Sequence, residues 1–274
     1  MGGSGNGSAD ITSLAFERRG SGEPLVLLHG VGHRRQAWHP VLDLLAAERT
    51  VYALDLPGHG HSPPLGAGAG TGRSAIEAMA TAVFAFFDEA GLDRPHVAGN
   101  SLGGALALHA GVSGRAASVT CLSPGGFWSG AWEFPYVKVV FLGAELTGAA
   151  VRNLIPIVAR SVVGRAVMDA AFVASPARMT SEQAVDDAYA FFRARDAVSA
   201  VLAERVTFTD AIPPAVPVTI AWGTKDRLLP PSQARVALGR IPQARFRTLP
   251  GCGHVPMTDN PELVAKVILE GSAR

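Results

Sequence analysis

A chain of 274 residues with 48% hydrophobic and 17% charged residues has enough apolar side chain for one large globular core and too few charges to favour disorder. The net charge is +1, and the basic residues are mostly Arg, spread along the chain, with Lys only at 138, 225 and 266. In that distribution neither a nucleic-acid footprint nor a polybasic membrane patch is visible.

Residues 1–10 open with Met1-Gly2-Gly3-Ser4-Gly5, which lacks the basic start and apolar stretch of a signal peptide. They read as a flexible leader. No apolar run reaches the roughly 18 residues that span a bilayer. A soluble, cytoplasmic protein without membrane or nucleic-acid partners is therefore expected. Cys121 and Cys252 have no metal-ligand spacing and no C-x-x-C context, so both are expected to be reduced, packed thiols.

Taken in order, Pro24–Leu28 and Thr50–Leu54 are short continuous apolar runs that read as buried strands. A helix is expected between them. Ile76, Met79, Ala80, Val83 and Phe84 recur at helical spacing. A strand at His96–Ala98 then enters Gly99, and the small, apolar stretch from Ser101 to Ala110 suits a helix packed closely on a sheet. Ala117–Leu122 reads as the next strand, stopped by Ser123-Pro124-Gly125-Gly126. From about Phe127 to Val206 the alternation breaks into a long, helix-like, aromatic-rich insertion, expected to be a helical cap over the sheet, with ordinary packing helices as the alternative. Strands at Val218–Trp222 and Arg245–Leu249 resume the pattern. The final helix starts with Asn260 as cap, Pro261 at its first position and Glu262 against the dipole. This order predicts an α/β fold, a mostly parallel sheet with helices on both faces, divided into a core of residues 11–126 and 207–274 and a cap of residues 127–206. Sites in such folds form at the carboxyl ends of strands.

Gly99-Asn100-Ser101-Leu102-Gly103-Gly104 stands between a strand and a helix, the setting of a nucleophile elbow. Flanking glycines let the chain reverse sharply and lift the Ser101 hydroxyl above the sheet. A serine hydroxyl is a weak nucleophile near neutral pH. It needs a histidine base, and that base needs a carboxylate to fix its tautomer. Asp226, in Gly223-Thr224-Lys225-Asp226, and His254, in Gly251-Cys252-Gly253-His254, each follow a predicted strand. The chain order is Ser, Asp, His.

With Leu27-Leu28-His29-Gly30-Val31-Gly32 and Asp55-Leu56-Pro57-Gly58-His59-Gly60-His61-Ser62 added, the chain resembles the α/β-hydrolase superfamily, in its cap-bearing, serine esterase-like group, from about Leu14 to Leu269. The resemblance implies backbone amides of Val31 and Leu102 as oxyanion donors and no metal or organic cofactor. It implies hydrolysis of an ester-like acyl bond, and the apolar, aromatic composition of the insertion points to a small or medium hydrophobic molecule, with thioesters and lactones as variants. Some relatives carry the acid after the strand that precedes the cap, but Leu122–Gly126 holds no carboxylate. Relatives that cleave carbon–halogen bonds or epoxides use an aspartate nucleophile, where this chain has Ser101. Carbon–carbon bond hydrolases share the Gly-Asn-Ser-x-Gly-Gly elbow but follow the histidine with Trp, where this chain has Val255. That chemistry stays open as an alternative, as do a natural-product cyclase and a triad-bearing ligand receptor.

Other features take plainer readings. His59 and His61 lie in a Gly-rich loop without a third ligand and are expected to serve the loop. Gly66-Ala67-Gly68-Ala69-Gly70 lacks the strand and helix of a nucleotide fingerprint and is expected to be a loop. His33, Arg34 and Arg35 either greet a polar substrate group or form a solvated face. Phe127 and Trp128 either line the pocket or fill the cap core. His33, Phe127, Trp128 and Val255 are the candidate substrate contacts.

Overall fold

The computed structural model describes residues 14–65 and 74–273; the expected leader and the Gly66–Gly70 loop lie outside the described residues. Seven strands form one sheet: β1 (Phe16–Arg19), β2 (Pro24–Leu28), β3 (Thr50–Leu54), β4 (His96–Asn100), β5 (Ser118–Leu122), β6 (Val218–Gly223) and β7 (Arg245–Leu249). Their order across the sheet is β1-β3-β2-β4-β5-β6-β7. All neighbours are parallel except β1, which runs antiparallel along β3 with Phe16 opposite Leu54 and Arg19 opposite Val51.

β2 to β6 lie inside the sheet, and the period of two sorts their side chains into two apolar layers. Val26, Leu28, Val97, Val119, Ile220 and Trp222 enter one, and Leu25, Leu27, Ala98, Leu122 and Ala221 the other. The first layer is closed by α2 (Ala75–Glu89), α3 (Leu102–Val112) and α9 (Gln233–Arg240), the second by α1 (His39–Ala46) and α11 (Pro261–Gly271). Each Leu or Val buried this way contributes about 1.5–3 kcal/mol relative to exposure.

Helix ends follow local chemistry. Ser74 Oγ accepts from the Glu77 amide while Glu77 accepts from the Ser74 amide, closing a capping box on α2. Asn260 Oδ1 accepts from the Leu263 amide at the start of α11. α10 (Pro256–Asp259) is a single turn ahead of it.

Between β5 and β6 the chain leaves the sheet for α4 (Glu133–Ala150), α5 (Ile155–Val158), α6 (Val162–Met168), α7 (Ser181–Arg193) and α8 (Arg195–Ala203). Its two ends meet. The Phe208 amide donates to the Gly126 carbonyl at 3.0 Å, and Arg240 of α9 donates to both the Gly126 and Phe208 carbonyls. The buried Glu133 carboxylate fastens α4 to the core by accepting from Gln233 Nε2 at 2.9 Å and from the Ser129 amide at 2.8 Å.

Candidate active site

Ser101 sits between β4 and α3 with φ 56° and ψ −114°, a left-handed conformation that L-residues hold only when the surroundings impose it. The surroundings here are two close approaches. A Cβ on Gly99 would fall 2.0 Å from the Gly103 carbonyl oxygen, and one on Gly103 would fall 2.0 Å from the Leu28 carbonyl oxygen. Glycine at both positions lets α3 lie directly against β2 and β4. Asn100 stiffens the turn from below, its Nδ2 donating to the Leu122 and His254 carbonyls at 3.0 and 2.9 Å.

His254 follows β7 and Asp226 follows β6. Asp226 Oδ1 accepts from the Leu228 and Leu229 amides at 3.0 and 2.9 Å, and Oδ2 accepts from His254 Nδ1 at 2.9 Å. Nδ1 therefore carries the imidazole proton and Nε2 is left with its lone pair. His254 Nε2 is buried and has no hydrogen-bond partner among the described residues. Ser101 and His254 share the wall of one cavity of about 640 Å³, with Gly30, Val31 and Asn100 at the sheet side and α4, α6 and α7 around the remainder.

The turn after β2 lies beside the serine: a Cβ on Gly30 would stand 3.3 Å from Ser101 Cβ. Two buried histidines hold this turn. His29 Nδ1 donates to the Gly30 carbonyl and Nε2 accepts from the Leu56 amide; His59 Nδ1 donates to the Pro57 carbonyl and Nε2 accepts from the Gly32 amide at 3.0 Å. Burial pushes both imidazoles below the usual histidine value, His29 well below, which keeps the accepting nitrogens free of protons. The amides of Val31 and Leu102 donate to no acceptor among the described residues.

A model of the alpha/beta hydrolase family matches residues 25–267, spanning every strand from β2 to β7 and the insertion. The chain belongs to the alpha/beta hydrolase family. The chain is 29% identical over 269 residues to the dihydrolipoyllysine-residue acetyltransferase component of the acetoin cleaving system of Pseudomonas putida, covering 93% of this chain. It spans less than two thirds of the first curated relatives it matches, 65% and 63% of their lengths. Against the pimeloyl-(acyl-carrier protein) methyl ester esterase of Aeromonas hydrophila it is 27% identical over 269 residues, covering 93% of this chain and 98% of that one. Among solved structures, a thermophilic esterase from Thermogutta terrifontis superposes with a TM-score of 0.69 at 25% identity, over 94% of this chain and 92% of that one.

The structure separates the remaining candidate residues. His33 and Val255 line the large cavity. Trp128 lines a smaller pocket of about 70 Å³ that also touches Ser101 and Leu102, with its Nε1 donating to the Val206 carbonyl. Phe127 does neither. It is fully buried, 5.5 Å from the Phe208 ring and under the Arg240 guanidinium. Arg34 and Arg35 are engaged elsewhere, Arg34 with Asp186 and Asp187 of α7 and Arg35 with the buried Asp55. His59 serves the turn, as described; His61 is exposed beside Asp55 and Arg35. No group of three or more His, Cys, Asp or Glu side chains among the described residues could hold a metal ion. Cys121 and Cys252 are free and buried.

Two carboxylates that the sequence reading left unmarked bear on the site. Asp259 accepts from the Gly253 amide at 2.7 Å and from the Ala174 and Ser175 amides at 3.1 and 2.6 Å. It ties the insertion to the loop that carries His254. Asp169, after α6, lines the large cavity with Asp187 and His33. Its Oδ2 is shut off from solvent without a partner among the described residues, and burial, aided by the negative Asp187, pushes its carboxyl up to about 7.

Proposed function

We propose that the protein is a serine hydrolase of ester-like acyl bonds in small or medium hydrophobic molecules. The observation that carries this reading is the His254 imidazole, held through Nδ1 by Asp226 and presenting an unpartnered Nε2 to the cavity it shares with Ser101. Nε2 takes the Ser101 proton as Oγ adds to the carbonyl carbon; the resulting oxyanion is received by the amides of Val31 and Leu102, each worth a few kcal/mol to the transition state. The imidazolium, supported by Asp226, returns the proton to the leaving alcohol. His254 then takes a proton from water as its oxygen attacks the acyl-enzyme, and returns that proton to Ser101 Oγ as the acyl–oxygen bond breaks and the acid leaves. The mostly apolar wall, with Val140, Phe141, Ile155 and Phe191, supports a hydrophobic acyl or alcohol group. Likeness to two proteins named as esterases supports the same reaction class.

Ser101→Ala is expected to abolish turnover of chromogenic short-chain esters and labelling by a fluorophosphonate. Wild-type turnover in that variant, or a fluorophosphonate adduct at another residue, would overturn the mechanism.

A further inference from the structure

The insertion has an unusual outer face. Of the fourteen large apolar side chains that stand exposed among the described residues, eleven fall between Trp132 and Val167. Soluble surfaces scatter such side chains singly, and a cluster marks a surface that meets something apolar. Four of the eleven have a second property. Val151, Leu154, Val158 and Val167 are 36%, 51%, 36% and 72% exposed and also line the large cavity, so they form its rim. The exposed apolar face is therefore continuous with the mouth of the cavity that contains Ser101.

The exposed charges on this stretch are mostly basic. Between Trp132 and Val167 the basic residues are Lys138, Arg152, Arg160 and Arg165, and the acids are Glu145 and the buried Glu133. Lys138, Arg152 and Arg160 are exposed. Arg165 is buried against the Ala159, Arg160 and Pro176 carbonyls, and Glu145 lies 3.7 Å from Arg195. An apolar patch with cations on it fits the headgroup boundary of an anionic bilayer, where apolar side chains enter the acyl region and Arg and Lys meet phosphates. No single helix among the described residues is long and apolar enough to cross a membrane, and α4 meets the following turn and α5 at 78°, a shape that can lie along a surface.

We propose that this face of the insertion rests on an anionic lipid surface with the cavity mouth turned to it, so that a lipophilic acyl substrate enters from the bilayer. The second half of that statement rests on Ser101 being the nucleophile; the docking does not.

The full chain is tested by sedimentation with vesicles of phosphatidylcholine alone and of phosphatidylcholine mixed equally with phosphatidylglycerol. Binding to the anionic vesicles, weakened by salt, is expected. Ile157 and Val163 are 59% and 73% exposed and do not line the cavity. The double variant Ile157→Ser, Val163→Ser should lose vesicle binding by about tenfold or more while keeping its thermal transition and its rate on a soluble ester. Ser101→Ala should bind vesicles like the wild type, which separates failure of docking from failure of the catalytic assignment. Absence of wild-type binding to anionic vesicles, or equal binding by the double variant, would overturn the proposal. A dimer in light scattering that the same double variant dissolves would instead assign the face to a second copy of the chain and equally overturn it.

Discussion

Both carboxylate oxygens of Asp226 are occupied, Oδ1 by two backbone amides and Oδ2 by His254. Backbone positions the acid, and the acid positions the base. Asp226→Asn retains an oxygen for the Leu228 and Leu229 amides but turns an N–H toward His254 Nδ1. The imidazole must then present its proton at Nε2, the wrong tautomer for a base. Turnover of a soluble ester is expected to fall about a thousand- to ten-thousand-fold with little change in the urea midpoint; a drop below tenfold would remove Asp226 from the reading. The residues that a linear motif marks, Ser101, Asp226 and His254, were legible because each follows a strand and each motif is local. Asn100, Asp259 and Asp169 were not singled out, because their roles lie in partners that folding alone supplies: Asp259 and Ser175 are 84 residues apart in the chain.

Among the elements, β2, β3 and β7 occupy the residues read for them, and β4 and β6 run slightly farther toward the site than read. β1 escaped notice because Phe16-Glu17-Arg18-Arg19 is an exposed, charged edge strand, with no buried face to leave a pattern. The outward face of α4 escaped for the opposite reason: the helix is apolar on both sides, with Val137 and Phe141 buried while Val139, Leu142 and Leu146 face out, so composition alone does not say which side meets protein. One connection between elements carries a prediction. Asp259 at the end of α10 holds the Gly253 amide and the 174–175 segment together, and Val255 donates to the Phe172 carbonyl beside it. Asp259→Ala strands three amides in a poorly hydrated place. It should cost about 2–4 kcal/mol of stability in urea titrations and lower kcat by loosening the His254 loop. A stability change under about 0.5 kcal/mol, the scale of an ordinary surface substitution, would show that the segment is held by other contacts.

At the scale of the whole molecule, buried titratable groups pull stability in opposite directions with pH. His29 and His59 have folded values below the ordinary 6.5, so the unfolded chain takes up protons first and stability is lost as pH falls below that value. Asp169 is raised from 3.8 to about 7. The folded protein therefore binds the extra proton between those values, and stability declines as pH climbs through that window. Asp169→Asn removes the second effect. Its thermal midpoint should exceed that of the wild type at about pH 8 and match it at about pH 4, with each kcal/mol worth about 2–4 °C in a chain of this size. An equal shift at both pH values would mean that the gain comes from packing and not from the carboxyl.

The Gly126 and Phe208 carbonyls converge on one guanidinium, Arg240, and Phe208 donates back to Gly126. The sheet therefore meets the insertion at a closed neck, across which its two ends are a single hydrogen bond apart. A polypeptide spliced in at that neck starts and ends at one point of the sheet, but the His254 loop also rests on the 172–175 backbone through Asp259 and the Phe172 carbonyl, so a replacement has to keep that segment. In evolution, or at the bench, the part of the insertion beyond that segment can be exchanged as a cassette without moving the points at which the chain leaves and re-enters the sheet.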